Sequence, residues 1–230
     1  MKISLTAAAF ALLIGACGGR SHAVPAGDRP TQASDAQHVV YLHGKIVQEH
    51  GKNAVSPEFG PYLFDEIVTA LARDGARVHA PVRTGTANTE ESAKQVETLV
   101  RELLASGVPA SRLTIVGASM GAVIAIRVSA SMKNPSLRFV LLGACNDWVR
   151  DELKPDLHGH ILSIYEEGDP YGASCASVAE GKPGIAAFEE VRLTTGLSHG
   201  FLYRPLPVWV DPTLRWFARP VPEAGAGRPD

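Results

Sequence analysis

Leu113-Thr114-Ile115-Val116-Gly117-Ala118-Ser119-Met120-Gly121-Ala122 is an apolar run of strand length, a sharp turn with a serine at its tip, and the opening of a helix. Such a turn lifts the serine hydroxyl above the carboxyl edge of a sheet, at the cost of a strained backbone whose neighbours leave no room for side chains. Gly117 and Gly121 remove those side chains. The pattern Gly-x-Ser-x-Gly between a strand and a helix makes Ser119 the candidate nucleophile and predicts an α/β fold.

On both sides of this stretch, short apolar runs alternate with longer amphipathic ones, the pattern of a parallel sheet covered by helices. Strands are expected at 38–42, 77–82, 112–117, 138–143, 160–165 and 188–193. Helices are expected at 61–74, where Leu63, Ile67, Ala70 and Leu71 share a face, and at 89–106, where Val96, Leu99, Val100 and Leu103 do. Two more should run from Ser119 to about Met132 and over 207–218, where Val208, Trp209, Leu214 and Phe217 read as core. With right-handed crossovers these elements form an open, doubly wound, mostly parallel six-stranded sheet with helices on both faces. Ligands of such sheets bind outside the carboxyl ends of the strands. The connection 146–159 is too short to hold a helical lid, so the site should be an open cleft.

A serine hydroxyl needs a base to take its proton and an acid to orient that base. The fifth expected strand ends in Glu166-Glu167-Gly168-Asp169-Pro170, and the sixth is followed by Gly196-Leu197-Ser198-His199-Gly200. His199 is the candidate base and Asp169 the candidate acid, with Pro170 stiffening its turn. Asp147, after the fourth strand, is the alternative acid, while Glu166 and Glu167 read as solvated turn charges. The order Ser, Asp, His along the chain resembles the α/β-hydrolase superfamily, over about residues 38–218, and within it the small bacterial members that begin with Tyr-Leu-His-Gly. The resemblance implies that two backbone N–H groups receive the oxyanion, those of Met120 and of Lys45, the latter in a loop shaped by His43 and Gly44. The chain departs from larger members in lacking two N-terminal strands and a cap.

The N-terminus carries a separate message. Lys2 precedes an apolar run from about Ala7 to Ile14, too short to span a bilayer, and Leu13-Ile14-Gly15-Ala16-Cys17 resembles the lipobox of bacterial lipoproteins. The expectation is a signal peptide over 1–16, a lipid anchor on Cys17, and a flexible tether over 17–37 rich in Gly, Ser, Ala and Pro. The domain would then occupy 38–218, followed by a disordered tail over 219–230, on a protein exported to the periplasm or cell surface and tethered to a membrane.

The 230 residues suit one α/β domain, and 22 basic against 24 acidic residues give no electrostatic reason for a nucleic-acid partner. Cys145 and Cys175 follow neighbouring strands in an oxidising compartment, where they read as a disulfide or as two buried thiols. His158 and His160 lack a wider ligand set and are expected to flank the fifth strand rather than bind metal. Lys45, Arg83 and His50 fall in or near loops at the carboxyl edge, where a cation could meet an acidic group of a substrate, although loop cations are usually solvated. The reading that joins these features is a serine hydrolase acting on a small or lipid-like ester without metal or cofactor. Its competitors are a serine peptidase or amidase and a non-catalytic binding lipoprotein of the same fold.

Overall fold

The computed structural model describes residues 36–220. Signal peptide, Cys17 and the tether up to residue 35 lie outside the described residues, as does the tail from 221 onward. Six strands, β1 (His38–Leu42), β2 (Arg77–His79), β3 (Leu113–Ala118), β4 (Arg138–Leu142), β5 (Gly159–Glu166) and β6 (Ile185–Leu193), pair in the order β2-β1-β3-β4-β5-β6, and every pairing is parallel.

Both faces are covered, which is why the central strands are apolar without alternation. Val40, Leu42, Leu113, Ile115, Phe139, Leu141 and Ile161 point into one core. That core is closed by α3 (Thr89–Ala105), through Ala93, Val96 and Val100, and by α4 (Met120–Met132), through Ile124, Ala125 and Val128. Val39, Tyr41, Val116, Val140, Leu142, Leu162 and Ile164 point into the other. There they meet Val47 of α1 (Lys45–His50), Phe64, Ile67 and Leu71 of α2 (Phe64–Leu71), and Trp209, Val210, Trp216 and Phe217 of α6 (Pro207–Ala218). A one-turn helix, α5 (Ala176–Ala179), lies before β6. Asn88 caps α3 by accepting the Glu91 N–H at 2.8 Å, with Glu90 and Glu91 in the first turn favoured by the helix dipole.

The expected strands and long helices are present with shifted ends. β2 stops at His79 instead of 82, because Arg83 and its neighbours turn away to bond the loop after β1, and α2 occupies only Phe64–Leu71 of 61–74. Pro61 instead belongs to a small antiparallel ribbon, Val55–Ser56 with Gly60–Pro61. At the amino edge Arg138, 2% exposed, donates from Nη1 to the carbonyls of Trp216 and Phe217 and from Nη2 to that of Arg219, so the last turn of α6 is capped from the sheet.

The chain leaves β1 toward the β2 edge and returns to lay β3 on the other side of β1. The loops after β1 and β3 therefore diverge from a common crevice, the place where open α/β sheets bind ligands. Leu42 is in register with Gly117, which sets Gly44 beside Ser119.

Candidate active site

Ser119 sits between β3 and α4 with φ 53° and ψ −117°, outside the left-handed helical basin and strained for any side-chain-bearing residue. Three contacts hold it there. Its N–H donates to Leu142 O at 2.9 Å, and its carbonyl accepts from Ala122 and Val123 at the first turn of α4. A Cβ on Gly117 would stand 2.3 Å from Gly121 O, and one on Gly121 would stand 1.9 Å from Leu42 O. Both glycines are required by steric contact, as the sequence pattern implies.

Above the elbow, His199 Nε2 lies 2.9 Å from Ser119 Oγ, and its Nδ1 lies 2.7 Å from Asp169 Oδ2. The Asp169 side chain has no exposed surface, and its second oxygen accepts the Tyr171 N–H at 2.9 Å, so one carboxylate holds both the imidazole and its own loop. An Nδ1–H facing that carboxylate leaves the Nε2 lone pair toward the serine. The structure thus brings together the three residues singled out in the sequence, from loops after β3, β5 and β6.

The loops are tied to one another. Cys145 and Cys175 form a disulfide, and Ala173 N–H donates to Ala144 O at 2.7 Å, so the loop carrying Asp169 is stitched to the end of β4. Gly172 packs on Gly143 so closely that a Cβ there would fall 2.4 Å from the Gly143 carbonyl carbon. Glu166 corrects the reading of it as a solvated charge. It is 1% exposed, and its carboxylate accepts from Thr195 Oγ1 at 2.9 Å and Gly196 N–H at 2.8 Å, fixing the start of the His199 loop. Glu167 pairs with Arg192, and Asp147 pairs with Arg150 at 2.9 Å in the open, away from the imidazole.

Lys45 and Met120 are the first residues of α1 and α4, so each presents a backbone N–H with no partner inside its own helix. His43 is fully buried, and its ring bonds the backbone of Arg83 and Gly44 rather than Ser119. Its Nε2 accepts the Arg83 N–H at 3.0 Å, which leaves the proton on Nδ1 to bond Gly44 O at 2.8 Å. Burial, and then the Arg83 charge, lower its pKa to about 4, so the ring is neutral. The Lys45 side chain leans on Glu49 at 3.2 Å. His158 precedes β5 and pairs with Asp156, while His160 lies within the strand. Among the described residues no group of three or more His, Cys, Asp or Glu side chains is placed to hold a metal.

A cleft of about 390 Å³ opens over Ser119, walled by Gly44, Lys45, Ile46, Phe59, Tyr171 and Leu202. Phe59 and Tyr171 both face the His199 ring, with centroids 6.4 and 5.0 Å away. Neither residue carries a motif. Phe59 comes from the ribbon, and a single exposed tyrosine after an acid leaves no mark in the sequence.

Sheet order, elbow and open cleft are those of the lidless α/β-hydrolase fold. Residues 78–154, from β2 through the elbow to the turn after β4, match the family described as phospholipase/carboxylesterase. Solved structures share the fold at low identity. A member of the α/β serine hydrolases without lid, from Xanthomonas campestris, is 14% identical over 83% of this chain and 87% of its own, with a TM-score of 0.51. A protein of unknown function from Agrobacterium tumefaciens, grouped with the α/β hydrolases, is 15% identical over 81% and 84%, with a TM-score of 0.53. A lipase-esterase related protein from Clostridium acetobutylicum is 12% identical over 78% and 93%, at 0.51. No curated protein matches the chain.

Proposed function

We propose that the protein is a serine hydrolase that cleaves a carboxylic ester through an acyl-enzyme on Ser119. The observation that carries this reading is the unbroken chain Ser119 Oγ, His199 Nε2, His199 Nδ1, Asp169 Oδ2, with separations of 2.9 and 2.7 Å. In the first half-reaction His199 Nε2 takes the hydroxyl proton as Oγ attacks the ester carbon, and the N–H groups of Met120 and Lys45 receive the oxyanion. Collapse expels the alcohol, which leaves with the proton from His199. A water then repeats the sequence, with His199 as base, and frees the acid. Asp169 stays ionised and stabilises the imidazolium formed in each half.

The same reading has the protein exported, with Cys17 lipidated and the domain held to a membrane by the tether. Support for this comes from the Leu-Ile-Gly-Ala-Cys sequence and from the disulfide, a bond that persists in oxidising compartments. Labelling with a fluorophosphonate tests the chemistry: a single adduct on Ser119, lost in Ser119→Ala, is expected, and an unlabelled folded protein overturns the reading. Comparing turnover of matched ester and amide substrates separates esterase from peptidase. Incorporation of labelled palmitate that disappears in Cys17→Ser tests the anchor.

A further inference from the structure

Arg83 lies in the loop after β2, only 7% exposed, directly behind the turn that leads from β1 into α1. Taking a guanidinium out of water is costly unless an anion accompanies it. Arg83 has no carboxylate partner among the described residues. The charged and titratable groups around it are the neutral His43 and the hydroxyls of Tyr41 and Tyr62, which bond each other and whose pKa values burial pushes up, that of Tyr62 to about 12. The guanidinium stays protonated at neutral pH even though burial lowers its pKa to about 10.

Its donors reach the loop beside the nucleophile and the helix that follows it. Nη2 donates to the His43 carbonyl, Nε reaches Gln48 Oε1 in α1 at 3.3 Å, and the backbone N–H donates to His43 Nε2. Gln48 Nε2 returns the connection to Gly85 O and Ala87 O at 3.1 and 2.8 Å. Nη1 finds no protein acceptor. A buried cation retained for packing alone looks like Arg138, whose two terminal nitrogens both donate to the carbonyls of a helix end.

We propose that Arg83 is a positioning residue of the hydrolytic reaction: it fixes the His43-Gly44-Lys45 turn and places an uncompensated positive charge behind the N–H groups that receive the oxyanion. The proposal rests on the serine-hydrolase reading of Ser119. Negative charge on the substrate oxygen exists only in the tetrahedral state, so the effect of Arg83 falls on kcat and leaves ground-state binding nearly unchanged.

The test compares wild type, Arg83→Met and Arg83→Lys, with folding checked by circular dichroism and thermal melting. Turnover of p-nitrophenyl acetate is measured alongside inhibition by phenylboronic acid. That inhibitor forms an anionic tetrahedral adduct when Ser119 Oγ bonds to boron and passes its proton to His199. Arg83→Met is expected to lose about 10- to 100-fold in kcat with KM within about threefold, and to bind phenylboronic acid more weakly by a similar factor. Arg83→Lys, which keeps the charge and loses the fork, should recover part of both losses. A folded Arg83→Met with wild-type kcat, or one whose kcat falls while phenylboronic acid affinity does not, overturns the proposal. If Arg83→Met does not fold, Arg83→Lys decides: kcat reduced several-fold with parallel loss of inhibitor affinity supports the role, and wild-type values overturn it. A wild-type protein that takes no fluorophosphonate overturns the hydrolase reading and this one with it, whereas a labelled wild type with an unaffected Arg83→Met overturns this one alone.

Discussion

Arg138 at the amino edge of the sheet and Arg83 at the carboxyl edge are both buried, both without a carboxylate partner among the described residues, and both lowered to a pKa of about 10 by burial. What separates them is what their donors find. Arg138 ends on three backbone carbonyls that belong to one helix terminus, and Arg83 ends on a loop that lines a cleft. Backbone strain separates the two edges as well. Asp74, Lys133 and Lys154, in the turns that lead into β2, β4 and β5, hold positive φ within the left-handed helical basin, whereas Ser119 at the carboxyl edge, with φ 53° and ψ −117°, lies outside it. A conformation that a stability-optimised chain would avoid is held at the nucleophile.

Substitutions on the two edges should therefore move different observables. Ser119→Ala is expected to lower ester turnover by at least about 10⁴-fold while its melting temperature stays within about two degrees of wild type. Arg138→Met should do the reverse, costing about 3 kcal/mol in urea unfolding because the α6 carbonyls lose their donors, with kcat per folded molecule unchanged. An equal effect of both on activity would break the comparison.

Acid should also find the carboxyl edge first. His43 has a native pKa near 4 against an ordinary value of 6.5, so below pH 6.5 the unfolded chain binds a proton that the native one refuses. Stability from this group is complete above pH 6.5 and is lost as pH falls toward 4, by about 2 kcal/mol between pH 7 and pH 5. Urea melts across that range check it, and His43→Asn should flatten the slope. The smallest change in stability is expected of Ser119→Gly, which relieves the backbone strain and should stabilise the fold by up to about 1 kcal/mol, although it removes the nucleophile as Ser119→Ala does.

The fold was legible where packing speaks through pattern. Strands buried on both faces announce themselves as runs such as Ile161-Leu162-Ser163-Ile164, and α3 by its spacing of Val96 and Val100. The elbow was legible because steric exclusion leaves glycine as the residue at 117 and 121. The short elements were not. α1 is a six-residue helix whose buried side chains are few, and the ribbon at 55–61 has two residues per strand, so neither offers a period to read. Buried charges were misread for a related reason. A glutamate in an acidic turn and an arginine in a loop look solvated until partners distant in sequence are known: Thr195 and Gly196 for Glu166, His43 for Arg83.

The register of β1 has a consequence for synthesis. His38-Val39-Val40-Tyr41-Leu42 is the earliest strand of the sheet and one of its inner ones, fully buried, with β2 from Arg77 as one neighbour and β3 from Leu113 as the other. A chain emerging from its N-terminus carries this run for many residues before either partner exists, and its second hydrogen-bonding side stays open longer still. Parallel pairing across such separations is slow, and an unpaired apolar strand is a site for intermolecular association. Yield of folded protein should thus depend on how long β1 stays unpaired during chain delivery as well as on the stability of the finished domain.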